Sequence, residues 1–283
     1  MLVLLATDGS IDARRAARWL REFALPSGTA VSVLTVAILT DPPRDSQSIA
    51  ELRQKVRLRA GRTADAAART LRRRWPKIKR IVTEGDPSVE IIRVAEERRV
   101  DMIVLGARGL GAVKRFLVGS TSLTVARYAP CPVSIVRGRP KKARRVLVAV
   151  DGSEASRAAV RFLSLFELVR EARVKLIHVL PKAVVSRRRR SRRSVAAGDR
   201  QARLAEATKR LTRAAARLED AKYPVEAVLA EAREILRVAE SRDVDLVVLG
   251  ARGLGTVGRL LLGSVSETVL HHLGRPMMIV RRR

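Results

Sequence analysis

The sequence predicts an α/β protein made of two tandem, doubly wound domains, each a five-stranded parallel sheet with helices on both faces. Three observations predict this. The chain repeats itself: Val3–Ser10 (VLLATDGS) recurs as Val146–Ser153 (VLVAVDGS), and Ile91–Gly111 recurs as Ile235–Gly255, at offsets of 143 and 144 residues. A period this long marks a duplicated domain, since a solenoid unit is much shorter. Within each copy, short and nearly continuous apolar runs alternate with helical patterns, as expected for strands buried on both faces of a parallel sheet. Right-handed crossovers then wind each copy around its sheet. The expected domains are 1–138 and 144–283, joined by the polar segment Gly138–Ala143.

The elements of the first copy follow in order. Leu2–Ala6 reads as a buried strand. Ser10 or Asp12 is placed to cap the amphipathic stretch running to about Ala24. Ala30–Val36 is the second strand, and a long basic helix runs from about Ser46 to Trp75. Ile78–Thr83 is the third strand, followed by a helix over Pro87–Arg98 with proline in its first turn. Met102–Leu105 is the fourth strand, Ser120–Tyr128 a helix and Val133–Val136 the last strand. The second copy repeats this order.

Composition narrows the function classes. Of 283 residues, 47% are apolar, too many for a disordered basic tail. Only 3% are aromatic, which argues against a base-stacking platform for single strands. The one cysteine, Cys131, excludes an internal disulfide and cysteine-based zinc or iron–sulfur sites. No run approaches the length of a membrane span, and Met1–Ala6 has no basic segment before it, so a cytoplasmic location is expected. The formal charge is +30, with 58 Lys+Arg against 28 Asp+Glu. Most of the cations are arginine, and both halves share the excess. This fits ordinary solvated helix faces better than a dedicated nucleic-acid tail.

In doubly wound sheets, ligands sit beyond the carboxyl ends of the strands. After the fourth strand both copies read Gly-Ala-Arg-Gly-Leu-Gly, and Gly-Ser follows later, giving G-x2-G-x9-G-S. The residues are Gly106, Arg108, Gly109, Gly119 and Ser120, then Gly250, Arg252, Gly253, Gly263 and Ser264. Glycines let backbone amides approach phosphate oxygens, and a helix N-terminus favours an anion. Ser264 with Glu267 also forms a capping-box pattern, which by itself would make the serine a helix cap. Arg108 and Arg252, inside the glycine loop, are candidate phosphate contacts. After the first strand both copies carry Asp-Gly-Ser, at Asp8 and Asp151. That carboxylate either accepts from ribose hydroxyls or a phosphate-borne magnesium, or caps the next helix.

These motifs, with Glu84-Gly85-Asp86-Pro87 before the third helix, resemble the universal stress protein family in its ATP-binding branch, over nearly all of both copies. The resemblance implies an adenine nucleotide alpha hydrolase-like fold and bound ATP, with Mg2+. The glycines, Ser120 with Thr121, and Ser264 with Val265 would hold the triphosphate. Asp8 and Asp151 would face the ribose or metal, and the strand ends at Val36 and Val179 would present backbone to adenine. The last strands would mediate self-association, within the tandem or in a homodimer. Where the first copy has Gly85-Asp86-Pro87, the second is expected to have Leu229-Ala230-Glu231.

Other motifs carry less. Gly253-x-Gly255-x-x-Gly258 matches a dinucleotide fingerprint, but too little chain follows it, and no acidic residue stands about 20 positions on. His271 and His272 are adjacent and diverge on a helix, while His178 sits in a strand as a packed residue. No metal site on protein ligands is expected, and no nucleophile elbow is present. The arginine run from Arg187 to Arg193 reads as a solvated loop, with an anionic partner as the alternative. The function expected is regulatory or protective ATP binding in a stress response, through binding rather than turnover. The alternatives are a slow ATPase or phosphotransferase, and a nucleic-acid-associated protein using the arginine-rich surface.

Overall fold

The computed structural model describes residues 1–39, 46–110, 118–138, 141–166, 172–180, 197–231, 234–253 and 262–281. The arginine run at 187–193, Gly111, Gly255 and Gly258 lie outside these residues. The chain divides into two compact units, built mainly from Met1–Lys142 and Ala143–Leu273.

In the first unit the strands are β1 (Leu2–Ala6), β2 (Ala30–Ala37), β3 (Ile78–Glu84), β4 (Met102–Gly106) and β5 (Val133–Val136). They lie in the order β3-β2-β1-β4-β5, with parallel pairings throughout. The helices are α1 (Ile11–Glu22), α2 (Ser46–Leu71), α3 (Pro87–Glu97) and α4 (Ser120–Tyr128). In the second unit the strands are β6 (Arg145–Ala149), β7 (Arg173–Leu180), β8 (Val225–Glu231), β9 (Leu246–Gly250) and β10 (Met277–Val280). Their order, β10-β9-β6-β7-β8, is the same winding. The helices are α5 (Glu154–Leu163), α6 (Ala197–Asp220), α7 (Glu234–Ala239) and α8 (Ser264–His272). The strand order reverses between β1 and β4, and again between β6 and β9. That is where a doubly wound sheet opens a crevice.

Burial explains the apolar runs. Val3, Leu4 and Leu5 of β1, and Ile103 and Val104 of β4, are fully covered, as a strand flanked by helices on both faces must be. The long helices use small residues to lie close on the sheet. In α2 the buried stripe is Ala60, Ala64, Ala67, Ala68 and Leu71; in α6 it is Ala207, Leu211, Ala214 and Leu218. Both follow the i, i+4, i+7, i+11 spacing of one helix face.

Register corrects one sequence expectation. Ile78 pairs with Val31 in β3, and Val225 pairs with Val174 in β8. The match between copies is therefore 147 residues here, and Glu84 corresponds to Glu231. Leu229-Ala230-Glu231 thus ends β8, in place of Val82-Thr83-Glu84, and does not replace Gly85-Asp86-Pro87. The helix that follows has 11 residues in the first unit (α3) and 6 in the second (α7).

Candidate functional site

In each unit, two loops meet at the point where strand order reverses. In the first, Ser10 caps α1 by accepting from the Ala13 N–H at 3.2 Å. Its hydroxyl also donates to the Arg108 carbonyl at 3.0 Å, fastening the loop after β1 to the loop after β4. Ser153 does the same in the second unit, donating to the Arg252 carbonyl at 3.0 Å. Sequence reading finds the cap but not the cross-loop bond, because its partner lies 98 residues away.

Asp8 does not cap α1. One carboxylate oxygen accepts from the Ser10 N–H, and the other accepts from the Leu110 N–H, both at 2.9 Å. The second of these oxygens stands 2.7 Å from where a Cβ on Gly109 would be. In the second unit, Asp151 accepts from the Ser153 N–H at 2.8 Å, and its other oxygen stands 2.6 Å from the Cβ position of Gly253. Each carboxylate thus lies against its glycine loop, and the second glycine of the motif is required by that contact.

The three motif glycines do different things. A Cβ on Gly106 would stand 2.5 Å from backbone atoms of Asp12 and Ala13, so this glycine lets α1 cross over the end of β4. Gly250 does the same beneath Ala155 and Ser156, at 2.6 Å. Gly119 is roomier, its nearest neighbour being the Ala107 carbonyl oxygen at 3.5 Å, while Gly263 is tighter, with Gly253 N at 3.1 Å. Ser122 and Ser266 donate to the Gly106 and Gly250 carbonyls at 2.8 and 2.7 Å, tying each helix start to its fourth strand.

Helix capping separates the helix starts. Side chains cap α1, α3 and α5, namely Ser10, Asp86 and Ser153. The N-caps of α4 and α8 are Gly119 and Gly263, which make no side-chain cap bond. Ser264 is therefore the first residue of α8, exposed like Ser120, and the expected capping box with Glu267 does not form. The first amides of α4 and α8 face the glycine loops without a side chain closing them, which is the arrangement that favours an anion. Thr121 is half-buried and Val265 is 40% exposed in the first turns.

Arg108 differs from expectation. Arg108 Nε donates to Asp12 Oδ2 at 3.3 Å, so the side chain is turned onto α1. Asp12 is buried and also pairs with Arg15 at 2.7 Å. Arg137, at the end of β5, is buried close by. Its pKa is pushed down to about 10, first by burial and then by the Arg108 charge, with Asp12 opposing. In the second unit Ala155 takes the place of Asp12. Val36 and Val179 are half-buried at their strand ends, with the backbone of β2 still engaged: Gly85 N–H donates to the Ala37 carbonyl at 3.2 Å.

The long helices bring a residue that the sequence reading missed. Arg210 of α6 lies against Gly152. Its Cδ is 2.6 Å from the Cβ position of that glycine, and its Nη1 donates to the Asp151 carbonyl at 2.7 Å. At the matching place in the first unit, the Thr63 methyl is 3.1 Å from the Cβ position of Gly9. A separate cavity of about 860 Å³ lies between α2 and β3, where Arg53 and Arg57 both pair with Glu84, at 3.8 and 3.0 Å. Its lining carries Arg53, Arg57 and Arg62 against Asp65 and Glu84.

Among the described residues, no helix is long and apolar enough to cross a membrane, and no group of three His, Cys, Asp or Glu side chains is placed to hold a metal.

The model of the universal stress protein family matches residues 1–137 and again 142–281. A universal stress protein of Mycobacterium tuberculosis is 30% identical, over 99% of this chain and 97% of its own length. One from Thermus aquaticus is 36% identical over 48% of this chain and 97% of its own. The crystal structure of a universal stress protein from Archaeoglobus fulgidus superposes with a TM-score of 0.66 at 24% identity, covering 100% of this chain and 98% of that one. Matched twice by the family model and aligned end to end with full-length relatives, the chain belongs to the universal stress protein family as a tandem pair of its domains.

Proposed function

We propose that this universal stress protein binds ATP in its glycine-loop crevices, with magnesium carried on the phosphates. The observation that carries this reading is the contrast in helix capping: side chains close α1, α3 and α5, while α4 and α8 begin at glycine with their first amides open beside the loop. Gly119, Ser120 and Thr121, and Gly263, Ser264 and Val265, would hold the triphosphate. Gly106, Gly109, Gly250 and Gly253 would act by shaping the loops. Asp8 and Asp151 would face the ribose, since a carboxylate has about four acceptor sites and the loop amides use only some of them. Arg108 would reach a phosphate only by leaving Asp12, and Arg252 would contact the phosphates of the second crevice. The ends of β2 and β7, at Val36 and Val179, would present backbone to adenine.

The domains would run over 1–138 and 144–283, with self-association through β5 and β10. Nucleotide binding would act by changing shape or partner affinity. Purified protein should release ATP that mass spectrometry detects, and should give heat when titrated with ATP. Gly119→Val combined with Gly263→Val should abolish both signals. Absence of released nucleotide and of any titration heat in the unmodified protein would sink the reading.

A further inference from the structure

We propose that Arg210 makes the second crevice selective for a nucleotide whose ribose carries a phosphoryl group of its own, while the first crevice takes plain ribose. This rests on the nucleotide reading above and assigns a different ligand to each copy.

The two crevices share a backbone and differ in the side chain that the long helix lays against the Asp-Gly turn. The sheet register and the buried stripes of α2 and α6 both match at 147 residues, which sets Arg210 opposite Thr63. Arg210 covers Gly152 with Cδ, Nε and Cζ at 2.6, 2.7 and 3.0 Å from its Cβ position. Nη1 is anchored on the Asp151 carbonyl at 2.7 Å, and Nε on Glu206 Oε1 at 3.0 Å. A guanidinium has five N–H donors, so these two bonds orient the fork without exhausting it. Glu206 is exposed, so its charge is screened by solvent more than that of an enclosed partner.

The neighbour beneath Arg210 differs too. His178 stands where the first unit has Thr35. It is buried, bonded to the Val150 backbone, and its Nδ1 has no partner among the described residues. Burial, and then the charge of Arg210, hold its pKa below the ordinary value, so it remains a neutral wall. Both Asp-Gly turns carry an arginine from the following helix, Arg14 on the Gly9 carbonyl and Arg157 on the Gly152 carbonyl, so these do not separate the copies. What the long helix adds does: beside its carboxylate the first crevice gains only a methyl. The second offers a carboxylate and a guanidinium. In sites that read ribose, a carboxylate suits a free hydroxyl and a nearby arginine accommodates a ribose phosphate. Arginine is also the side chain best matched to a phosphate's paired oxygens.

The test titrates the full chain with ADP and with adenosine 3′,5′-bisphosphate. The two ligands carry the same number of phosphoryl groups, placed differently. One crevice of the unmodified protein should take the bisphosphate at least tenfold more tightly, relative to ADP, than the other. Arg210→Thr should erase that preference while leaving ADP binding in place, and Thr63→Arg should create a second preferring crevice. Circular dichroism melts check that each variant is folded, and the Thr63→Arg gain stands even if Arg210→Thr is unstable. ADP binding with no bisphosphate preference in either crevice, or a preference unmoved by both substitutions, overturns this proposal alone. No heat with either ligand overturns the nucleotide reading, and this proposal with it.

Discussion

The two copies agree in their backbone connections and disagree in what surrounds them. In both, a serine after the first strand donates to the arginine carbonyl of the glycine loop at 3.0 Å. In both, a serine in the first turn of the fourth-strand helix holds the carbonyl that ends the strand. Against this shared frame stand Thr63 and Arg210, Thr35 and His178, and Asp12 and Ala155. The residues that join loops are small and bond to main-chain carbonyls, so both copies keep them. The residues that have diverged project from helices and strands around the crevice. Duplication has left one scaffold and two linings.

Several measurements would break or sharpen that contrast. The largest effect is expected at the shared glycines beneath the first helices. Gly106→Ala and Gly250→Ala each push a methyl into backbone at 2.5 or 2.6 Å and should cost their own unit on the order of 3 kcal/mol in urea titrations. Gly119→Ala, with 3.5 Å available, should cost no more than about 1 kcal/mol, the difference between glycine and alanine at a helix cap. Equal costs at 106 and 119 would contradict the division of labour within the motif.

Next is the carboxylate against the loop. Gly109→Ala should destabilise the first unit by about 1–2 kcal/mol by displacing Asp8. In an Asp8→Ala background most of that cost should vanish, and a double-mutant cycle reads the coupling directly. Additive costs would mean that the two residues do not oppose each other.

Asp86, which caps α3 in the first unit, comes next. Its carboxylate accepts from Ser88 N–H and Val89 N–H at 2.8 and 3.0 Å, and Asp86→Ala should cost about 1 kcal/mol there. Its pKa is held below the ordinary 3.8, first by the Ser88 hydroxyl. The cap is therefore intact above that pH, and its contribution fades as acid protonates it.

The smallest effect near neutrality belongs to His178. Burial, more than any neighbour, keeps its pKa below the ordinary 6.5. The unfolded chain binds the proton more readily, so this contribution to stability is complete above 6.5 and declines as pH falls below it. Protection factors in the second unit, taken relative to the intrinsic amide exchange rate at each pH, should fall on acidification through that range. His178→Thr, which installs the first unit's residue, should remove that share of the pH dependence.

Most of the fold was legible because buried parallel strands are nearly unbroken apolar runs. Val3–Ala6 and Val146–Ala149 need no context to be read. The proline at the start of α3 was equally plain, and the cap of α1 was narrowed to Ser10 or Asp12, of which Ser10 is the cap, since its partner lies within four residues. What escaped was set by distant partners. Gly106 looks in sequence like a phosphate glycine, yet its constraint is the backbone of α1, more than 90 positions earlier. The shift from 144 to 147 between copies leaves no sequence mark, because β3 and β8 share few residues; only pairing with β2 and β7 fixes it. Without that shift, Arg210 has no obvious counterpart and its place over Gly152 cannot be found.

The contact between Asp8 and Gly109 also limits how this protein can change over generations. A side chain cannot be gained at 109 while the carboxylate stays, and losing the carboxylate first leaves the Leu110 amide without its acceptor. Each single step is penalised, so the pair persists as a unit or is lost as a unit. The second copy sets Asp151 against Gly253 in the same close contact. A lineage that abandoned one crevice would therefore be expected to show it as an abrupt double replacement in one half of the chain, with the other half left intact.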